Sequence, residues 1–326
     1  MLSVYTPIRS GKLVSVTTPS SILLASISHL YKLANYPVVL HVSLEPRRFA
    51  DYSVITAIRN SGWTFLQSET LQEAQDMAIT AHALALRTGK GVLHFFAPGN
   101  SANDKPIATE DATVVREILD LDAVRRYQAG VISATGIYAD DGHVAVSSTQ
   151  PEPSTAVEQA TTNGLAPPSS ADASKVTSAL TSAISSRQAS VSELSDGNTS
   201  VATTVETAPV HVSSSDIYDA ATRIWSQLKN SLGRSYTPFE YSGPADAINC
   251  IFVFGSDTGL FAEAIDNAKG EEVFARAGIL TPRLYRPWIG SKMVQAVPQS
   301  VRRIAVLEQI RRKTTKWGPL LLDVLT

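Results

Sequence analysis

Residues 147–215 constrain the fold most, because they interrupt the chain with a stretch that cannot build a core. This stretch holds 27 Ser or Thr among 69 positions and contains no Phe, Trp or Tyr. Ordering a residue costs roughly 1–2 kcal/mol, and so few large apolar side chains do not offset that cost. We therefore predict a disordered linker over 140–215, between folded domains at 1–139 and 216–326.

The charge distribution supports this division and limits the classes of partner. Eight acidic and two basic residues fall within 140–215, which leaves 26 basic and 22 acidic residues for the rest of the chain. The whole chain has a net charge of -2, which gives no general argument for binding nucleic acid or a membrane surface. It contains no apolar run of about 18 residues and no clear signal peptide. We expect a cytoplasmic protein that binds neither nucleic acid nor membranes.

The first folded part alternates strand-like and helix-like segments. The best-marked helix covers 70–88, because Thr70 and Glu73 have capping-box spacing and Gly89 suits a left-handed cap. Another helix is predicted over 21–34, with Ile22, Ala25, Leu30 and Leu33 on one face. The other predicted segments are strands at 13–17, 37–42, 63–67 and 92–96, and a helix at 51–62. Such alternation indicates a parallel sheet with right-handed crossovers.

The second folded part repeats this alternation on a smaller scale. Its predicted segments are helices at 217–233 and 258–268, strands at 248–254 and 303–308, an extended segment at 278–286 and a helical turn at 291–298. The sequence thus predicts an α/β protein with two doubly wound domains joined by the linker.

Isolated chemical motifs are weak. The single cysteine, Cys250, excludes a disulfide framework, a Cys₄ zinc site and a four-cysteine cluster within this chain. It lies in an apolar run, which favours inert packing over nucleophilic catalysis. The turn 255–259, GSDTG, follows a strand and opens a helix but lacks both phosphate-binding fingerprints. An ordinary strand-to-helix turn with Ser256 as a cap is favoured over a phosphate site.

The histidines and a basic cluster are the remaining candidates. The six histidines show no metal-ligand spacing, so hydrogen-bonded structural roles are favoured over a metal site assembled by the tertiary fold. A solvated face, or a surface that docks an acidic partner, is favoured over nucleic-acid binding for the basic cluster. That cluster comprises Arg302, Arg303, Arg311, Arg312, Lys313 and Lys316. We assign no catalytic, cofactor-binding or metal-ligating residue.

Several stretches resemble pyruvate:ferredoxin oxidoreductases. Residues 30–44 and 65–96, the latter with Gln-Glu-Ala, Ala-His-Ala and Leu-His-Phe-Phe motifs, are similar to a segment of that family's first domain. Residues 239–256, 283–288 and 301–309 resemble its second domain. The resemblance implies a thiamine-diphosphate-enzyme pyrimidine-domain-like fold, followed by a transketolase C-terminal-like fold.

The sequence also departs from that family. Active members carry a substrate-contacting arginine followed by a His- and Asp-containing loop; Arg47 or Arg48 corresponds to the arginine, but the loop is missing. The thiamine diphosphate–magnesium domain and the ferredoxin-like cluster domain have no counterpart here. The resemblance therefore implies that this chain alone does not carry out oxidative decarboxylation.

A related two-domain module occurs at the N-terminus of fungal NADPH-sulfite reductase subunits. Three segments look most similar to the haemoprotein (β) subunit, with the flavoprotein (α) subunit as nearest competitor: YKLANYPVVLHV (31–42), RNSGWTFLQS (59–68) and RLYRPW (283–288). This resemblance implies a non-catalytic region for scaffolding or subunit association in sulfate assimilation and cysteine biosynthesis. Its expected partner is the other sulfite reductase subunit in a hetero-oligomer.

The same resemblance implies that no cofactor binds to this chain. Sirohaem, the 4Fe-4S cluster, flavin and NADPH would belong to other parts of the full-length enzyme. Two alternatives stay open: a subunit of a 2-oxoacid:ferredoxin or flavodoxin oxidoreductase that completes a thiamine diphosphate site in trans, and an interaction protein with two α/β domains.

Overall fold

A computed structural model describes most of the two parts that were expected to fold. The described residues are 4–45, 50–97, 107–135, 212–255, 258–268, 270, 274, 276–311 and 316–326. The predicted linker, apart from its last residues, lies outside them. The mixed α/β class predicted from the sequence is confirmed, since the described residues form two sheets with helices against them.

The first sheet, sheet A, contains five strands in the order β1-β2-β4-β3-β8, parallel except for β8. Its strands are β1 (Val14–Pro19), β2 (Val38–Ser43), β3 (Thr64–Ser68), β4 (Val92–Phe96) and β8 (Leu284–Arg286). Strands β2, β3 and β4 are almost continuously buried. This matches their apolar runs, because a parallel strand covered on both faces has no polar side to present to water.

Helices cover sheet A on both faces. One face packs against α1 (Tyr5–Arg9), α2 (Ile27–Leu33) and α3 (Ser53–Ala57). The other packs against α4 (Leu71–Thr88), α5 (Ala112–Leu119) and α7 (Ser214–Leu232), with α6 (Leu121–Thr135) beside α4 and α5. Within β2, Leu40 faces the first layer and Val39 the second, as the two-residue period of a strand requires.

Helix α4 begins and ends where the sequence predicts. The Thr70 side chain accepts a hydrogen bond from the Glu73 amide at 3.2 Å, and Gly89 ends the helix at φ 66°. One detail differs: the Glu73 carboxylate accepts from the amide of Glu69 at 2.8 Å rather than closing the box on Thr70.

The helix predicted over 21–34 is broken in its first half. Two 3₁₀ turns, Ser20–Ile22 and Leu24–Ser26, precede α2. A 3₁₀ turn has three residues rather than 3.6, so the buried positions shift: Leu23 is buried whereas Ile22 is 48% exposed. The predicted common face is therefore wrong for Ile22 and Ala25 and correct for Leu30 and Leu33.

The second sheet, sheet B, has four strands in the order β5-β7-β6-β9. They are β5 (Phe239–Ser242), β6 (Asn249–Phe252), β7 (Ala277–Pro282) and β9 (Arg303–Val306), and only the β5–β7 pair is antiparallel. The accompanying helices are α8 (Thr258–Asn267), α9 (Gly290–Ala296) and α10 (Pro319–Leu325). No described helix is long and apolar enough to cross a membrane.

The extended segment predicted at 278–286 is divided between the two sheets. It forms β7 in sheet B, breaks at Arg283, and continues as β8 in sheet A, antiparallel to β3. The Arg283 amide donates to the carbonyl of Pro238 at 2.8 Å, and its carbonyl accepts from the Gln67 amide at 2.8 Å. The backbone of Arg283 thus bonds both to the residue that precedes β5 and to a residue of β3.

An aromatic cluster fills the space between the sheets. Tyr52 stacks on Phe254 at 4.5 Å between ring centroids, and Tyr285 meets Phe254 edge-on at 4.9 Å. Phe95 and Phe65 from sheet A complete the contacts. Offset and edge-to-face arrangements of this kind are favourable beyond the area that they bury.

The segment after residue 211 contributes to both sheets. Helix α7 begins at Ser214, inside the predicted linker, because Ser213 and Asp216 form a reciprocal capping box. Its buried Ile224 and Leu228 pack with α4. The domain division at 139 and 216 stays a prediction, although α7 and β8 belong to the layers of sheet A.

The Arg283 position generates a stability prediction. The side chain is 3% exposed and pairs with Glu73 at 2.8 Å and with Glu240 at 2.5 Å. Arg283→Met leaves both carboxylates without this partner, and we expect it to lower the free energy of unfolding by about 3 kcal/mol in urea titrations.

The matched control is Arg276→Met. Its ion pair with Asp246 at 2.7 Å joins side chains that are 47% and 70% exposed. Exposed pairs contribute about 0–1 kcal/mol, so equal losses in the two variants would contradict a special role for Arg283.

Candidate functional site

The candidate site is a cleft between the end of β3 and the start of α8. Carboxyl ends of parallel strands are where open α/β sheets usually bind ligands. Strand β3 ends at Ser68, and the next residue, Glu69, extends to α8 of the other sheet. The cavity has a volume of about 220 Å³. Its polar lining consists of Glu69, Glu240, Ser242, Thr258 and Thr281.

Glu69 makes the central contact of the cleft. Its Oε2 accepts a hydrogen bond from the Thr258 hydroxyl at 2.7 Å, which joins the carboxylate to the first residue of α8. Gly255 approaches so closely that a Cβ there would collide with the Glu69 carboxylate and the Gln67 amide. The close approach explains why glycine suits position 255.

Burial raises the pKa of Glu69 to about 7. The Thr258 hydrogen bond and the Arg283 charge act in the opposite direction, whereas the Glu73 and Glu240 charges add to the increase. A carboxyl group with this pKa exchanges its proton near neutral pH, which is the property required of a general acid or base.

Arg283 supplies the positive charge behind the cleft. Burial works against the charged form, but the carboxylates of Glu73 and Glu240 hold the pKa of Arg283 above its ordinary value. Its guanidinium also lies 5.0 Å from the ring centroid of Tyr236. The ion pairs connect α4 of one layer with β5 of the other.

A second cavity of about 460 Å³ shares Ser242, Ala262 and Ile279 with the first. It adds Asp266 and the backbone of Gly243 and Gly278 to the lining. The combined space has carboxylates and hydroxyls on its walls, so its chemistry suits a small ligand with hydrogen-bond donors or positive charge.

The GSDTG turn is therefore in contact with a carboxylate of the protein itself. Gly255 and Thr258 contact Glu69, while Ser256 and Asp257 lie outside the described residues. A carboxylate near a helix N-terminus is electrostatically favourable. Glu69 therefore lies between Gly255 and the first residue of α8.

Three histidines form a cluster beneath α4. His41 and His94 lie side by side on β2 and β4, with their Nδ1 atoms 3.1 Å apart, and His94 Nε2 lies 3.0 Å from the Ser68 hydroxyl. His82 of α4 donates from Nδ1 to the Ala78 carbonyl at 2.8 Å. Burial lowers the pKa of His41 to about 4 and that of His94 to about 3, with neighbouring histidine charges adding to the decrease.

These contacts are hydrogen bonds of the kind that the sequence favoured. Within the described part of the chain, no group of three or more His, Cys, Asp or Glu side chains could hold a metal ion. His143 and His211 lie outside the described residues.

The other sequence candidates lie apart from the cleft or outside the described residues. Cys250 is buried on β6, and burial raises the pKa of its thiol to about 12, which keeps it protonated at neutral pH. Arg302 and Arg303 are exposed at β9. Arg47, Arg48, Arg312 and Lys313 fall outside the described residues.

Sequence reasoning did not identify Glu69, Glu240 or Arg283. One signal was available for Arg283, which is a charged residue within the mainly apolar run GILTPRLY. Glu69 directly precedes a capping residue, so its sequence context suggests only the start of a helix. Its partner Thr258 is 189 positions away, and no local pattern encodes that contact.

Comparison with known proteins finds several oxidoreductases with low sequence identity to this chain. No family model matches the chain. It is 27% identical over 336 residues to a probable pyruvate-flavodoxin oxidoreductase of Escherichia coli K12, covering 99% of this chain and 24% of that protein. It is 26% identical over 324 residues to the sulfite reductase [NADPH] subunit beta of Schizosaccharomyces pombe, which covers 97% of this chain and 17% of that protein.

The pyruvate-flavodoxin oxidoreductase of Nostoc sp. PCC 7120 gives 27% identity over 338 residues, 99% of this chain and 23% of that protein. The chain thus spans about a quarter or less of the length of these relatives. A solved 2-oxoglutarate:ferredoxin oxidoreductase from Magnetococcus marinus aligns with this chain at 14% sequence identity and a TM-score of 0.41. The alignment covers 94% of this chain and 48% of that protein's chain. A similarity at that level transfers no function.

The pKa of Glu69 predicts a loss of stability on going to alkaline pH. Its pKa is about 7 in the folded protein against 4.5 ordinarily. The folded state therefore holds the proton more tightly, and the favourable contribution present below pH 4.5 is lost as pH rises through 7. We expect Glu69→Gln, which stays uncharged, to be more stable than wild type at pH 8 by roughly 1–2 kcal/mol.

Denaturant unfolding at pH 5 and pH 8 measures this difference. Glu117→Gln is the control, because Glu117 lies on the exposed side of α5. A stability difference between Glu69→Gln and wild type that is the same at both pH values would contradict the raised pKa.

The histidine cluster predicts a loss of stability with acid. His41 and His94 have pKa values of about 4 and 3 when folded against 6.5 ordinarily. The unfolded chain therefore binds more protons below pH 6.5, and the free energy of unfolding falls as pH decreases toward 4. We expect His94→Gln to flatten this decrease, measured by urea unfolding between pH 7 and 4, whereas His29→Gln at the Tyr5 contact leaves it unchanged.

Proposed function

We propose that this chain is the non-catalytic framework region of a 2-oxoacid:flavodoxin or ferredoxin oxidoreductase and acts with other parts of such an enzyme. The supporting observation is the extent of the similarity. The matches to pyruvate-flavodoxin oxidoreductases run over 99% of this chain, so they include both sheets and the Arg283 crossing between them. The enzyme class is that of one alternative that the sequence left open, a subunit that completes a thiamine diphosphate site in trans, whereas the non-catalytic role was expected from the resemblance to sulfite reductase.

Thiamine diphosphate with magnesium is the cofactor that this enzyme class implies, and the described residues do not fit it. The diphosphate needs positive charge or free amide donors, but the start of α8 already contacts the Glu69 carboxylate. Among the described residues, no group of three or more His, Cys, Asp or Glu side chains could hold a metal ion. In this proposal, the cofactor binds to other parts of the enzyme.

The framework role is supported by the contacts that connect the two sheets. Arg283 bonds to both layers through its backbone and its side chain, and aromatic rings fill the space between them. A region built this way presents surfaces in a fixed relation to one another. Completion of a cofactor site by a second polypeptide requires such a fixed geometry, because small misplacements of reacting groups lower the rate strongly.

A replacement experiment tests the proposed class. The matched quarter of the Escherichia coli relative is deleted in one variant of that enzyme and replaced by this chain in another, and pyruvate-dependent flavodoxin reduction is measured after purification. We expect the chimera to be active and the deletion variant to be inactive. Activity of the chimera no higher than that of the deletion variant would contradict the proposal.

A second candidate function is the corresponding region of a sulfite reductase β subunit. The match to the Schizosaccharomyces pombe subunit, over 97% of this chain, favours it together with the segments 59–68 and 283–288. In this proposal, the partner is the other sulfite reductase subunit. The same replacement in that β subunit, scored by NADPH-dependent sulfide formation and by association with the second subunit, separates the two functions.

A further inference from the structure

A groove runs along one face of sheet B, between β5 and α8. Helix α8 packs on β7 through Ile265 and Ile279, whereas Glu240 and Ser242 of β5 remain exposed on the same side. The two cavities described above lie in this groove, because residues of both β5 and α8 line the smaller one and the larger one adjoins it. The groove is therefore open to a small molecule.

Thr281 brings an unused hydroxyl group to the groove. The residue is 4% exposed and lines the smaller cavity, and its hydroxyl makes no hydrogen bond within the described part of the chain. It lies directly opposite Glu240 in the β5–β7 pair, which brings the two Cβ atoms to about 5 Å on one face. A buried hydroxyl without a partner is unfavourable, and a bound donor removes that cost.

Two carboxylates of the groove each have one oxygen in use. Glu69 accepts the Thr258 hydroxyl through Oε2, and Glu240 pairs with Arg283 through Oε2. Neither Oε1 accepts a hydrogen bond from the residues that the structure describes. Together with the Thr281 hydroxyl, these oxygens are three acceptors that come from three different segments of the chain.

We propose that this groove binds a small aliphatic primary amine in its ammonium form. An ammonium group has three N–H donors and no acceptor, which matches three separate acceptors, whereas a planar guanidinium is suited to a single carboxylate that it approaches through both oxygens. The aliphatic chain would lie against the apolar residues of the larger cavity, Ala262, Ile265 and Ile279. The site goes beyond the framework function proposed above and does not depend on it.

The charge of the groove depends on the ionisation of Glu69. The charged groups that face Glu69 are Glu73 on α4, Glu240 on β5 and Arg283 between the sheets, and Asp266 of α8 lines the adjoining cavity. When Glu69 is ionised, three carboxylates surround one guanidinium, and the excess negative charge favours a cation. Since the pKa of Glu69 is about 7, binding of the ammonium ion below this pH releases the Glu69 proton to solvent.

An NMR titration of the full chain with n-butylamine tests the proposal. The δ1 methyl groups of isoleucine are labelled with ¹³C, so that Ile265 and Ile279 report from the groove. We expect saturable shifts with a dissociation constant on the order of 1 mM, since the ligand has few atoms. Butylamine stays charged at pH 6 and pH 8, as lysine does, so the constant should fall about tenfold between them as Glu69 ionises.

A neutral ligand of equal size serves as the control for the charge. 1-Butanol has the same number of non-hydrogen atoms as butylamine but carries no charge. At pH 8 it should bind at least about tenfold more weakly, because it forms no charge-assisted hydrogen bond.

Variants separate the contacts of the proposed site. Glu69→Gln should bind butylamine about tenfold more weakly at pH 8 and lose the pH dependence, because an amide does not ionise. Thr281→Val removes the hydroxyl at nearly constant volume, so binding should weaken roughly fivefold at both pH values. The matched control is Glu117→Gln on the exposed side of α5, which should bind as wild type does.

Three outcomes would overturn the proposal: shifts that do not saturate up to about 50 mM butylamine, equal binding of butylamine and 1-butanol, or a pH dependence that persists in Glu69→Gln. The titration requires no enzyme activity and no second polypeptide. Its failure would therefore leave the framework function standing, and an inactive chimera would leave the amine site standing.

Discussion

Arg283 is the point on which the arrangement of the two sheets depends. The chain leaves β7 and enters β8 within one residue, so a single buried position must satisfy hydrogen-bonding groups from both layers. Its amide and carbonyl bond to Pro238 and Gln67, and its guanidinium pairs with Glu73 and Glu240. A buried charge is tolerated only when it is paired in this way.

The electrostatics of the cleft follow from that crossing. Arg283 brings the α4 layer and β5 together, and Glu69 is then enclosed between β3 and the start of α8. Burial raises its pKa, and the positive charge of Arg283 moderates the increase. The raised pKa is therefore a property of the contact between the sheets, since neither sheet alone would bury the carboxylate or give it Thr258 as a partner.

The two histidines on β2 and β4 show the same principle on the face of sheet A that α4 covers. Their positions in the strands could be predicted from the apolar runs, and His41 and His94 are direct neighbours because the strands are parallel and in register. Their low pKa values come from burial beneath α4. The free energy of unfolding therefore depends on pH in two opposite ways. Ionisation of Glu69 lowers it at alkaline pH, and the two histidines lower it at acid pH.

The sequence by itself determined the α/β class, helix α4 with its caps, and strands β2, β3 and β4. These elements depend on local patterns: apolar runs, capping residues and a left-handed glycine act within a few positions. Sequence patterns were weaker where local geometry changed, as in the 3₁₀ turns before α2. Only the tertiary structure decided that 278–286 divides between two sheets and that Glu69 meets Thr258. These contacts join residues far apart in sequence, and their free energy comes from burial and pairing, which no local pattern records.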